Sequence, residues 1–395
     1  MKFSVILSEF AKVLNDVLPA IPRKSTLPIL EHLHFTLSAN SLRIVATDQE
    51  IIIKSEIAVE GTEDGTILVP AKRLSEIVKV LDQTGSIEFI SNPENYEITL
   101  KTQSGKYTML GLDADEYIDL PEIFGEETEP IDGAPEVHTA HFTAADMQRL
   151  TNLTSFAVST DEFRLAMTGI LFQFRGNYVY SVATDSFRLV RITAFASEEQ
   201  PFPEDFDVII PTRAIEILKK VSTDITMTSI ANEDKVTHLR FIIGNLVFIT
   251  RVINERFPPY ETVIPTGNEL TMVTSRKELL AAIKRVSIFT SNVSHQIRMN
   301  LSNDSFVLGG EDESTNSNAS ETLPCDFNGE AITIGFNVKY LDDAISHLEP
   351  ATEGDDNIYL FISEPTKPIL INTEPNSQRS LMLLMPVRLN AAATY

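Results

Sequence analysis

Leu42-Arg43-Ile44-Val45-Ala46-Thr47-Asp48 and Tyr178-Val179-Tyr180-Ser181-Val182-Ala183-Thr184-Asp185 end on the same tripeptide, 137 positions apart. In both, an apolar run with strand spacing stops at an aspartate suited to a turn. A second pair follows at nearly the same offset. Thr66-Ile67-Leu68-Val69-Pro70 opens onto residues 71–81, and Val208-Ile209-Ile210-Pro211 opens onto residues 212–221, 141 positions on. Each is a strand, then Pro at a helix start, then an apolar stripe at helical spacing. A weaker third copy has Ala331-Ile332-Thr333-Ile334 ahead of residues 337–348, where Asn337 caps the helix in place of Pro. The first helix of each copy recurs over residues 7–18, 143–155 and 274–288, with Thr143 and Thr274 as the expected caps.

A repeat of this length belongs to whole domains, not to a solenoid. Period-2 segments fill the space between helices, among them residues 32–36, 51–57, 86–90, 96–101, 239–243 and 246–252. The expected fold class is α+β: three similar domains at 1–128, 138–265 and 266–395, each with two helices packed on antiparallel sheets of about eight strands. The joints are legible. Residues 107–148 hold no Lys or Arg but 11 acidic residues, with Pro121, Pro130 and Pro135 among them. The second joint runs from Pro258-Pro259 to Pro265-Thr266-Gly267-Asn268.

The chain has 395 residues, 43% of them hydrophobic, which excludes disorder as its main state. One cysteine, Cys325, closes no internal disulfide and builds no cysteine-based zinc site, which points to a reducing compartment. Lys2, Glu9, Lys12 and Asp16 break the first 21 residues, so no signal peptide is expected, and no stretch is apolar enough to span a membrane. The expected location is cytoplasmic. The formal charge of −24 argues against a polyanionic partner only if it is spread evenly. It is not. The six repeated helices carry 13 basic against nine acidic residues, leaving +4 on the helices and −28 on the rest. A mildly basic surface inside an acidic shell suits a weakly held polyanion.

Catalytic constellations are missing from the sequence. The seven histidines show no metal-ligand spacing, and no GxGxxG, GxxxxGK[ST] or GxSxG motif occurs. No metal and no cofactor are expected. Asp48 and Asp185 occupy equivalent places in different repeats, so both read as turn residues and not as a paired acid and base. The alternative from another class is an enzyme whose site lies between domains, using Asp185 and Arg188 on a small acidic substrate.

Four segments in order carry a resemblance: Met1-Lys2-Phe3, Leu27-Pro28-Ile29-Leu30, Ala183-Thr184-Asp185-Ser186-Phe187-Arg188-Leu189 and Met385-Pro386-Val387-Arg388-Leu389. With the threefold repeat they resemble the bacterial DNA sliding clamps, the beta subunits of the replicative DNA polymerase III, from Met1 to Leu389. The resemblance implies a homodimer, each chain forming half of a closed ring around duplex DNA. It implies a non-catalytic processivity factor that meets the replicative polymerase, the clamp loader and repair polymerases through short linear peptides. Twelve helices side by side at about 10 Å spacing would make a circle about 38 Å across at their axes, and subtracting about 10 Å for helix thickness leaves about 28 Å.

The implied contacts are assigned residue by residue. Phosphates would meet Lys24, Lys72, Arg73, Arg164, Arg213, Lys219, Lys220, Lys284 and Arg285. The partner-peptide cleft, between the middle and third domains, would use Met167, Thr184, Ser186, Phe187, Arg188, Leu189, Pro265, Pro368, Leu383, Leu384, Met385, Pro386, Val387 and Arg388. Arg188 and Arg388 would bond the peptide's carbonyls. A plainer reading makes residues 381–384 an edge strand of the last sheet, but Met385-Pro386 then ends the pairing with apolar side chains at a surface. Ring closure would use an edge strand at Lys106, Tyr107 and Met109, with Glu311, Asp312 and Glu313 facing Lys72, Arg73 or Lys106 of the partner chain and Ile288 or Phe289 filling the apolar centre.

Overall fold

A computed structural model describes residues 1–118, 138–232, 235–352 and 354–389. The linker at 119–137, which contains the expected domain end at 128, and the tail at 390–395 lie outside the described residues. The chain divides into two compact units, Met1–Ala145 with Lys220–Val252 and Asp146–Lys219 with Ile253–Tyr395.

In the first unit, helix α1 (Leu7–Val17) buries Leu7, Phe10, Leu14 and Val17, one stripe at helical spacing. Helix α2 (Ala71–Val80) starts directly after Pro70 and buries Ala71, Leu74 and Val78. Phe10 meets Phe3 and Phe35 edge-on, with centroids 6.4 and 6.2 Å apart, while Phe3 stacks on Phe89 at 4.9 Å. Each such ring contributes about 1.5–3 kcal/mol by leaving water. A five-stranded antiparallel sheet runs in the order Glu60–Glu63, Lys2–Ile6, Ser86–Ser91, Glu97–Lys101, Lys106–Leu110. The expected edge strand is therefore an edge. The second sheet has eight strands, in which Leu246–Arg251 pairs with Ile51–Ala58 and joins strands of the first two repeats.

In the second unit, helices α3 (Ala144–Asn152, from its third residue on), α4 (Thr212–Leu218), α5 (Arg276–Val286) and α6 (Val338–Ser346) accompany a nine-stranded and a four-stranded sheet. Asn337 caps α6 as expected, its side chain accepting from the Lys339 N–H. The cap of α5 is Ser275, not Thr274. The reason is pairing: the strand Leu270–Ser275 runs on through Ser275↔Asn357, and the Thr274 hydroxyl donates to the Pro324 carbonyl.

The nine-stranded sheet joins two repeats. Strands of the middle repeat end at Arg188–Phe195, which pairs with Ser380–Leu384 of the third, and that strand pairs in turn with Ile369–Asn372. Residues 381–384 are thus interior, and the plainer edge-strand reading is corrected. Beyond Pro386 the chain crosses to the smaller sheet, where the Val387 N–H donates to the Gly335 carbonyl at 2.8 Å. No helix among the described residues is long and apolar enough to cross a membrane.

Candidate functional site

The repeated Ala-Thr-Asp tripeptides build one turn twice. Asp185 Oδ1 accepts from the N–H groups of Phe187 and Arg188 at 2.9 and 3.0 Å, while Asp48 Oδ1 accepts from Glu50 and Ile51 at 3.0 and 2.8 Å. The Thr184 hydroxyl donates to the Arg188 carbonyl and the Thr47 hydroxyl to that of Ile51. Ser186 and Gln49 take φ of +78° and +79°, left-handed values that cost an ordinary residue about 1–2 kcal/mol. The side-chain bonds on either side hold them there. Both aspartates are turn residues, as their spacing indicates.

The two turns differ in the residue that leaves them, Ile51 in one and Arg188 in the other. Arg188 is 8% exposed. Its Nε donates to Asp185 Oδ2 at 3.0 Å, Nη2 to the Phe156 carbonyl at 2.7 Å, and Nη1 to the carboxylate of Asp343 on α6. The guanidinium lies 5.2 Å from the Phe156 ring and 4.8 Å from the Tyr340 ring. Burial raises the Tyr340 phenol. Nearby, Phe156 stacks on His347 at 4.0 Å and Arg149 Nε bonds Glu349 at 2.7 Å. These contacts fasten the middle repeat to the third. Nε and one N–H each of Nη1 and Nη2 are thus taken up inside the chain, which leaves two of the five guanidinium N–H groups for the expected peptide carbonyl, whereas the Asp185–Arg188 pair of the enzymatic alternative is closed on itself.

Strand parity sorts the remaining cleft candidates. Arg188 and Leu384 form a cross-strand pair and share the face toward Phe156 and α6; Leu189 and Leu383 form the next pair and share the other face. Leu384, with no exposed surface, therefore lies away from Leu383 and cannot line a groove with it. Met167 and Thr184 are buried too, 6% and 8% exposed, and Val387 is occupied in holding the chain end to Gly335.

What remains on the outer face is continuous. Leu189 and Leu383 form a buried cluster with Leu171, Val182, Ile209 and Tyr260. Over it pack partly exposed Ala166, Tyr180, Ile253, Phe257, Ile264, Leu370, Leu381 and Met385. Phe187 is 55% exposed beside this platform, its ring stacked on Tyr340 at 5.6 Å and its carbonyl accepting from Met385 N–H. Ser186 and Arg388 are exposed, and Pro265, Pro368 and Pro386 half-buried; the Pro368 carbonyl accepts from Asn268. Sequence reading missed Leu171, Ile264, Leu370 and Leu381. For Leu171, Leu370 and Leu381 the signal was the period-2 alternation of their strands, extended from Leu189; Ile264 follows a 3-10 turn and had no such signal.

The basic candidates fall into three groups. Lys24, Lys72, Arg73, Lys220 and Lys284 are exposed, Lys72 and Arg73 in the first turn of α2. Lys219 and Arg285 already hold acids, Lys219 with Glu216 at 2.6 Å and Arg285 with Glu321 through two bonds of 2.7 and 2.6 Å; Arg213 is exposed on α4, its guanidinium pKa lowered by desolvation. Arg164 is not on a helix. It sits in the turn before residue 165, bonding the Ser186 hydroxyl at 2.6 Å and Asp161 at 3.3 Å.

Of the closure candidates, Lys106 is exposed and Tyr107 half-buried, but Met109 is 5% exposed and faces its own core, so its side chain has no part in an interface. Ile288 and Phe289 are 77% and 40% exposed after α5. Asp312 accepts from the Ser314 N–H and hydroxyl, which hold its carboxyl below the usual range. Glu311 and Asp312 end the strand Ser305–Asp312, whose neighbour Ser317–Pro324 is an edge of the four-stranded sheet. No cluster of His, Cys, Asp or Glu among the described residues could hold a metal ion.

Family models for the DNA polymerase III beta subunit match the chain three times in order: the N-terminal domain over residues 1–121, the central domain over 142–259 and the C-terminal domain over 261–388. The chain belongs to the DNA polymerase III beta subunit family. Among its relatives, the beta sliding clamp of Vibrio cholerae is 28% identical over 391 residues, covering 98% of this chain and 100% of the relative. That of Pseudomonas aeruginosa is 26% identical over 392 residues, with the same coverage. A crystal structure of the Pseudomonas aeruginosa sliding clamp bound to griselimycin superposes with a TM-score of 0.86 at 25% identity, covering 98% of this chain and 100% of that one. As a member of this family the chain is an accessory subunit of a DNA polymerase, with the α+β fold of sliding clamps.

Proposed function

We propose that the chain is a processivity factor with no reaction of its own. Two copies close head to tail into a ring around duplex DNA, each contributing domains at 1–128, 138–265 and 266–395. The observation that carries this reading is the match of all three domain models of one family, in order, along almost the whole chain. The segregated charge supports it: exposed Lys24, Lys72, Arg73, Lys220 and Lys284 meet phosphates without reading sequence, while the acidic exterior repels DNA. Closure pairs the edge Lys106–Leu110 with the partner's edge Ser317–Pro324, Ile288 and Phe289 supplying apolar contact.

Recruitment takes place on the platform around Leu189, Leu370, Leu383 and Met385, with Phe187 at its lip. An extended peptide with a glutamine and a leucine-phenylalanine pair, from the polymerase, the clamp loader or a repair polymerase, lays its apolar side chains there. Since the Pseudomonas aeruginosa relative binds griselimycin, this chain is expected to bind it as well.

Retention on nicked circular against linear DNA tests the ring. Loaded protein should persist on circles and run off linear ends, with weak, salt-sensitive affinity for linear duplex. Equal retention on both forms would refute encirclement.

A further inference from the structure

The outer face of the nine-stranded sheet continues past the Leu189–Leu383 pair. Arg191 lies two residues along the same strand, on the same face and about 6.6–6.8 Å farther on. It stands opposite Val182 on one side and Leu381 on the other. Its guanidinium rests 4.4 Å above the Tyr180 ring. Tyr180 and Leu381 both pack on the cluster that holds Leu189 and Leu383, and Tyr178 leans on Tyr180 at 4.8 Å. Burial and Glu261 raise the phenol of Tyr260, an effect the nearby Arg191 charge partly opposes, and the Tyr260 hydroxyl donates to Gln173 Oε1 at 2.8 Å. A half-buried cation is thus set into the end of an apolar platform and kept in one orientation.

Its neighbours on this sheet are neutralised. Arg175 holds Asp207 at 2.6 Å and Arg188 holds Asp185 at 3.0 Å. Glu261 influences the Tyr260 hydroxyl as well, yet among the described residues no carboxylate forms an ion pair with Arg191. In a chain of charge −24, a cation without an acidic partner beside an apolar docking face is an unfilled valence.

We propose that Arg191, braced on Tyr180, is a carboxylate subsite that takes the side chain of an aspartate or glutamate two positions from an apolar anchor of the recruited peptide. This rests on the reading of the platform as the peptide-docking site. The spacing follows from geometry: in an extended peptide, side chains i and i+2 point to one face, and the step between them equals that from Leu189 to Arg191. A guanidinium stacked on a ring keeps its N–H edge free for a carboxylate. The acidic body of the protein disfavours acidic peptides in general, so one cation at a fixed distance from the apolar anchor selects register as well as charge.

The test is calorimetry on the full chain with acetylated, amidated peptides containing a glutamine and a Leu-Phe pair. Asp is placed two positions from the pair on one side or the other, each matched by an Asn peptide. One Asp peptide should bind about five- to tenfold more tightly than its Asn counterpart, an advantage that shrinks with salt. Arg191→Gln should abolish that advantage while binding the Asn peptides as the wild type does, which shows that the platform is intact; Arg191→Lys should keep part of it. Equal affinity for Asp and Asn in both registers would overturn the subsite, as would an Asp advantage that survives Arg191→Gln. Failure of every peptide to bind would remove the docking reading itself, and the subsite with it.

Discussion

Replacing Arg188 by alanine removes the side chain that touches Asp185, Asp343, Phe156 and Tyr340 together, and the structure sets the size of the effect. Breaking a buried ion pair costs about 3–5 kcal/mol because an unpaired charge stays behind. Two features reduce that figure here. Asp185 keeps two backbone donors on Oδ1, and the Asp343 side chain is 40% exposed and can turn to water. Against this, two ring contacts are lost, each worth about 0.5–1 kcal/mol. The sum is about 3 kcal/mol, and at 2–4 °C per kcal/mol for a unit of this size the melting temperature should fall by about 6–12 °C. Differential scanning calorimetry measures it. Arg188→Lys keeps the charge but not the planar fork and should recover less than half. The Phe187–Tyr340 stack loses its support, so peptide affinity should fall as well. A drop in melting temperature below about 2 °C would show that the network fastens nothing.

Met385→Ala should weaken a platform-binding peptide by about 1–3 kcal/mol, or about five- to 150-fold in Kd by titration calorimetry, because it removes a partly exposed anchor and leaves the strand pairing of Leu383 and Leu384 in place. Lys106→Glu combined with Tyr107→Ala should give monomers in sedimentation, since both lie on the open edge strand; an unchanged dimer would place the interface elsewhere. Asp342 on α6 has its Oδ1 buried without a partner, and burial raises its carboxyl above the usual range, only partly opposed by Lys284. A carboxyl raised on folding favours the protonated form, so at neutral pH its charge destabilises the fold. Asp342→Asn should therefore raise the melting temperature at pH 7, and the gain should vanish as pH falls below the ordinary carboxylate range of about 4. A variant that melts lower at pH 7 would mean that the attraction to Lys284 dominates.

Local sequence was enough for the repeated elements. The apolar stripe of α1, the strand-to-helix step at Pro70 and Pro211 and the Asn337 cap each depend on contacts within a few residues, and so does the Ala-Thr-Asp turn, closed by side chains bonding their own neighbours. The segregation of charge between helices and the rest is likewise a property of the chain read in one dimension. What only the tertiary structure decided is which face each strand residue shows. Leu383 and Leu384 look alike in sequence, and so do two members of the pattern Arg188-Leu189-Val190-Arg191. Their roles were set when the strand Ser380–Leu384 registered against Arg188–Phe195, with Leu383 opposite Leu189 from 194 positions away. A slip of one residue would exchange every side chain between the two faces. That pairing closes Arg188 into a bracket between two repeats and leaves Arg191 beside the platform. Met109 turned inward by the same rule, because its pairing with Ile98 fixes its side on an edge strand whose backbone alone looks available. No residue near any of these positions carries that information, since the partner that fixes the parity is supplied by a distant strand.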